Sequence, residues 1–223
     1  MSITIEHEKR KREILEKALD VFVDEGYEDT TFQKIAERCG ITRTILYLYF
    51  KNKREVFSFS IKLFTERLEA EIRQIAADPA KTQSDKIAAI VARVVETCAA
   101  QKRMLSVVLD YLGHIRAAGG DPDERVRRRT IRMRHILAGI VIDGQRHGDF
   151  PEFSVRAAGD LIYALIEAAI FRIAVLGRDD ASGLAEAGAL LAASLRSNEP
   201  RPRPRSSQGS PRSSAAREAK AAK

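Results

Sequence analysis

A few side chains near the start of this 223-residue chain have types and spacing suited to reading a nucleic acid: Thr31, Arg43, Thr44, Tyr47, Leu48, Tyr49 and Lys53. Arg43 can fork onto guanine O6 and N7. Thr44 offers a donor, an acceptor and a methyl suited to thymine. Leu48 lies four residues on, on the same helical face, and can add an apolar contact to a thymine methyl. Tyr47 and Tyr49 carry hydroxyls for phosphate oxygens, although the Tyr47 ring can equally serve as packing. Thr31 can cap a helix whose free amides bind another phosphate. Phosphate contacts set register on a duplex and base-edge contacts carry the sequence information, so this set contains both kinds.

Two short helices must hold them. The run T-F-Q-K-I-A-E-R-C-G-I-T-R-T-I-L-Y-L-Y-F, Thr31 to Phe50, reads as helix, tight turn, helix. Gly40 stands where the turn needs a left-handed backbone. Ile35, Ala36, Ile41 and Leu46 fall where two crossing helices touch, and Ala36 is small enough to let them approach. Thr42 can cap the second helix through its side-chain oxygen. The pattern is a helix-turn-helix whose second helix is shaped for the major groove.

The pattern continues on both sides. An apolar helix ends at Phe22, followed by Gly26-Tyr27, Thr30-Thr31, Ile35-Ala36, Cys39-Gly40-Ile41, Leu46-Tyr47, Tyr49-Phe50 and Lys53. From about Lys9 to Phe57 the chain resembles the DNA-binding domain of the TetR family of bacterial transcriptional regulators. The resemblance implies that Lys53 is a phosphate-binding lysine, so that its loss would lower the salt dependence of binding. It also implies a homodimer on a palindromic double-stranded operator and an effector pocket in the C-terminal half. A small-molecule effector, unidentified from these residues, would tilt the long helix starting near Lys53 and release a repressor. An activator or a ligand-independent regulator is the alternative reading.

The expected fold is all-α with about nine helices. Residues 1–52 form the helix-turn-helix domain, 53–198 a helical effector-binding and dimerisation domain, and 199–223 a disordered basic tail. The stripe Phe57, Ile61, Phe64, Leu68, Ile72, Ile75 marks one long amphipathic helix. The segment Ser154–Leu176 is apolar on nearly every side and rich in small residues. A helix of that kind is covered all round, by the chain's own core or by a second subunit. Glu167 in that segment has Tyr163, Ala164, Ile170 and Phe171 as helical neighbours, a costly setting for an unpaired carboxylate. Either it finds a structural partner or, with Tyr163 or His135, it forms the polar handle of a ligand pocket. Arginines crowd from Arg125 to Arg134 without interleaved aromatics, which reads as a solvated face or an anion patch rather than a second DNA surface.

Charge supports the reading only locally. The formal net charge is +7, but the tail from Glu199 alone carries seven basic side chains against two acidic ones. Residues 1–57 carry eleven of each sign. Between Thr30 and Phe57 the bases dominate, so the folded domain can turn a basic face to DNA. Cys39 and Cys98, the two cysteines, sit at apolar helical positions and read as buried thiols in a cytoplasmic protein. No apolar run is long enough to cross a membrane. No phosphate-cradling loop, nucleophile motif or metal-spaced cluster stands out, so no cofactor, metal or enzymatic activity is expected. An architectural DNA protein, suggested by the basic tail, ranks beside an enzyme as the least favoured class.

Overall fold

The structure, a computed structural model, describes residues 2–119, 124–177 and 181–196, and the side chains of all of these but 2–4 and 124–130. The basic tail 199–223 and the first arginines of the Arg125–Arg134 group lie outside the described side chains. Among the described residues there are nine helices and no strand: α1 Ser2–Asp29, α2 Phe32–Cys39, α3 Arg43–Tyr49, α4 Lys53–Ala77, α5 Gln83–Ala100, α6 Lys102–Ala117, α7 Glu124–His147, α8 Val155–Ala174 and α9 Ala181–Ser194. The expected all-α architecture is the observed one.

Side-chain oxygens start the helices where the sequence puts them. Thr31, Thr42, Asn52, Thr82 and Ser154 each accept from a backbone amide in the first turn, of Lys34, Ile45, Glu55, Asp85 and Ala157. These bonds satisfy amides that have no intrahelical partner. At Asn52 the cap is strengthened by Glu55, whose carboxylate accepts from the Lys51 amide at 2.5 Å.

Two apolar cores stack along the chain. The first gathers Ile14, Ala18 and Phe22 of α1, Ile35 and Ala36 of α2, Leu46 of α3 and Phe50. It continues into Val56, Phe57 and Ile61 of α4 and takes in Met104 and Tyr111 of α6. The second gathers Ile72 of α4, most of the inner face of α5, and parts of α7, α8 and α9. Thus α4 runs through both, and α6 lies against the first core while Ser106 Oγ donates to the Ala174 carbonyl of α8 at 3.0 Å.

The second core is tightest where α5 meets α9. A Cβ built on Gly188 would lie 2.5 Å from Val91 Cγ1 and 2.8 Å from Val91 Cβ. Rotating Val91 moves the methyl but leaves its Cβ in place, so the two helices must part. Gly188→Ala is therefore expected to destabilise the fold by about 1–3 kcal/mol, the cost of overpacking a filled core. Chemical denaturation checks this, and an unchanged midpoint would show that α9 slides freely over α5.

Burial pushes the Cys98 thiol up to about 11 and raises that of Cys39 as well. Both cysteines are buried and free, and a thiol held protonated is a poor nucleophile.

Candidate nucleic-acid interface

The turn between α2 and α3 closes as the residue types require. Gly40 adopts φ 68°, ψ 34°. The Gly40 amide donates to the Glu37 carbonyl and the Ile41 amide to Ala36, both at 3.0 Å. These bonds end α2 in a left-handed cap that a β-carbon would strain. Beneath the turn, Ile35, Ala36 and Leu46 are at most 1% exposed, and Phe50 locks the end of α3 into the same core. The short α3 is thus held on one side only, and its other face is bare.

That bare face carries the residues singled out from the sequence. Arg43, Thr44, Tyr47 and Leu48 are all exposed, Leu48 at 75%. Arg43 and Tyr47 are also paired: the guanidinium donates to the Tyr47 hydroxyl at 3.1 Å and lies 5.5 Å from the ring centroid. The Tyr47 ring packs 4.7 Å from that of Phe32 on α2. A chain of contacts from the core to Phe32, Tyr47 and Arg43 therefore orients the guanidinium before any ligand arrives. Tyr49 is half-buried and stacks on His7 of α1 at 4.7 Å. Thr31 is exposed at the start of α2, where its side chain caps the Lys34 amide. Ile45, 40% exposed, also stands on α3; its spacing of three from Leu48 was the available sign that the apolar part of the face is wider than one residue.

The basic surface is narrower than the sequence suggests. Lys34 pairs with Glu25 at 2.7 Å and Arg38 with Asp24 at 3.1 Å, both acids on the last turns of α1. Donating a hydrogen bond to the Glu25 carboxylate holds the Lys34 ammonium above its usual range. Arg43, Lys51 and Arg54 remain exposed around α3. Lys53 is half-buried, and its ammonium donates to the carbonyls of Tyr27 and Glu28 at 2.7 and 2.9 Å.

The residues suggested for an effector lie on α7 and α8, Glu167 and His135 exposed and Tyr163 half-buried. Glu167 was read as a carboxylate confined by apolar neighbours; its side chain is exposed on the outward face of α8, so burial exacts no cost from it within one chain. His135 is exposed as well. Tyr163 is half-buried at the edge of the second core, under the Arg134 guanidinium, which lies 4.9 Å from its ring centroid and pairs with Asp160 at 2.9 Å. Among the described residues, none of these three lines either of two open grooves. One, of about 310 Å³ between α4 and α7, is lined by Glu66, Glu69, Ala70, Arg73 and Arg132. Burial pushes the Glu69 carboxyl up, but Arg73 at 2.6 Å and Arg132 at 2.9 Å outweigh it and hold it below the usual range. The other, of about 460 Å³, lies between the end of α1 and α6.

No helix among the described residues is long and apolar enough to cross a membrane, and no group of three or more metal-ligating side chains there could hold an ion.

A capped helix-turn-helix with an exposed, partly basic second helix, seated on a larger helical body, defines a DNA-binding transcriptional regulator. Residues 14–58 match the family model described as "Bacterial regulatory proteins, tetR family". Over that stretch the chain carries the DNA-binding domain of the TetR family of bacterial transcriptional regulators. It is 27% identical over 168 residues to the fatty acid metabolism regulator protein of Bacillus subtilis, covering 71% of this chain and 82% of that one. To the transcriptional regulator BetI of Klebsiella pneumoniae it is 24% identical, covering 76% of this chain and 84% of that one. Among solved structures, the fold is similar to FadR from Bacillus subtilis in complex with stearoyl-CoA, with a TM-score of 0.61, 24% identity and coverage of 82% and 97%. It is also similar to a TetR transcription regulator from Haloarcula marismortui, with a TM-score of 0.69, 17% identity and coverage of 85% and 100%.

Proposed function

We propose that this chain is a cytoplasmic, dimeric transcriptional repressor that binds a palindromic operator and is released by a fatty acyl thioester. The reading head is residues 1–52 and the effector-binding and dimerisation body is residues 53–198. The observation that carries the effector class is the reach of the likeness to the fatty acid metabolism regulator. It spans 71% of the chain, far beyond the helix-turn-helix and through most of the body.

In this reading Arg43, Thr44 and Leu48 reach base edges, while Tyr47, Tyr49 and the amides beside Thr31 meet phosphates. Two copies of α3 enter major grooves about one turn, ~34–36 Å, or more apart. The second copy docks on the outward side of α8 and α9, where Leu161, Phe171, Val175, Leu176 and Leu190 are each at least half exposed. The small residues Ala164 and Ala168 beside them let backbones approach, and Glu167 falls within this face.

The test has two parts. Selection of bound fragments from a genomic library should recover a palindromic site. Adding stearoyl-CoA should then release that fragment, whereas free coenzyme A should not. Recovery of no preferred fragment would defeat the regulator reading. Release by neither compound would defeat the effector class and leave DNA binding standing.

A further inference from the structure

We propose that Lys53 is a positioning residue that fixes the angle of the reading head on the body, and that phosphate attraction comes from its neighbours instead. The inference rests on the DNA-binding reading and starts from the end of α1. After the kink at Gly26, the last carbonyls of this helix have no intrahelical partner. Side chains supply every one. Thr30 Oγ1 donates to the Gly26 carbonyl at 2.6 Å, Lys53 Nζ to those of Tyr27 and Glu28, and Lys34 Nζ to that of Asp29 at 3.2 Å. A cation there also meets the negative end of the helix dipole.

An ammonium has three donors. Lys53 directs two at carbonyls, and its Nζ lies 4.6 Å from the centroid of the Tyr27 ring. Turning it toward a phosphate would strip two carbonyls of their partner, a loss that a single screened phosphate contact only partly offsets. Tyr27 is also the point where the body attaches. Its ring centroid lies 4.4 Å from that of Tyr111 on α6 and 5.0 Å from that of Phe57 on α4. One ammonium thus holds the backbone and the ring of the residue where α1, α4 and α6 meet. In a dimer, a change of angle at this joint alters the separation of the two copies of α3, which matters for a spaced site and not for random DNA. Lys51 and Arg54, exposed on either side, remain free to serve the phosphates.

The experiment measures binding of the full chain, over a range of salt, to the best fragment from genomic selection and to a random duplex of equal length. Lys53→Met keeps an unbranched stem against Tyr27 and removes the charge. Its affinity for the selected fragment should fall about tenfold, the worth of charged hydrogen bonds at a half-buried site. Affinity for the random duplex and the slope of log K against log salt should stay at wild-type values, whereas Lys51→Met should lower that slope by about one. If Lys53→Met instead cuts the slope by about one and weakens both duplexes together, Lys53 is a phosphate ligand and the proposal falls. Unchanged binding to both also overturns it. Circular dichroism at the binding temperature verifies that the variant is folded. Should it not be, Lys53→Arg carries the test: its longer, planar fork keeps the charge but places its donors away from the point where Nζ meets both carbonyls. Positioning then predicts loss on the selected fragment alone, and wild-type values on both duplexes refute it. A wild-type protein that prefers no fragment over random DNA would sink the DNA-binding reading as well.

Discussion

Arg43→Ala should weaken binding to the selected fragment by about 1–3 kcal/mol, roughly 5- to 150-fold, and relax the choice of base at one position in each half-site. Affinity for random DNA should fall far less, because Arg43 is one of several exposed cations around α3. The pairing of Arg43 with Tyr47 extends the expectation. Tyr47→Phe keeps the ring against Phe32 and under the guanidinium but removes the hydroxyl that accepts from it. It should relax the same base position as Arg43→Ala, with a smaller loss, since the guanidinium is still present but must be ordered on binding. Binding to a library randomised at each position of the selected site measures both. Equal losses on specific and random duplexes for Arg43→Ala would reduce Arg43 to a phosphate contact. Relaxation at different positions for the two variants would break the link between them.

Phe171→Glu should have the larger effect. Phe171 is 53% exposed on α8, so a charge there disturbs a lone subunit little. Across a dimer seam it would bury carboxylates without partners, which is strongly unfavourable. Sedimentation should show a species near the 24.9 kDa of a single chain where the wild type sediments near twice that. Binding to the palindromic fragment should drop by about two orders of magnitude or more, because the second head loses its effective concentration on the site. Leu190→Glu on α9, 67% exposed, should act in the same way. A wild type that sediments as one chain, or a Phe171→Glu variant that stays paired, would move the interface elsewhere.

The contrast between these residues shows what could be read before the structure. The helix-turn-helix was legible because its determinants are local: Thr31, Gly40 and Thr42 shape their own turns, and Ile35, Ala36 and Leu46 meet across a few residues. The long stripe from Phe57 to Ile75 was legible for the same reason, since α4 alternates spacings of three and four for about five turns. The partners of Lys53 were not, because the Tyr27 and Glu28 carbonyls lie more than twenty residues away and a backbone acceptor leaves no trace in residue type. Lys34 and Arg38 counted toward a basic face until folding set them beside Glu25 and Asp24. The exposure of Glu167 was not legible from periodicity: a helix apolar on nearly all sides does not reveal which side its own chain covers. The acids near the end of α1, Asp24, Glu25 and Glu28, form the seam that holds α2 on one side and α6 on the other. There Arg103 reaches the Val23 carbonyl at 3.1 Å and His114 lies 3.5 Å from Glu28.

The core that supports α3 also contains Met104 and Tyr111, which arrive from a helix more than sixty residues downstream of the turn. Grafting meets a constraint there. A head transplanted alone onto another body would leave Phe22, Tyr27 and Phe57 facing a foreign α6, so a graft should keep its stability best when this stretch travels with the head. The packing unit of the head therefore runs on to Tyr111, well beyond the helix-turn-helix itself.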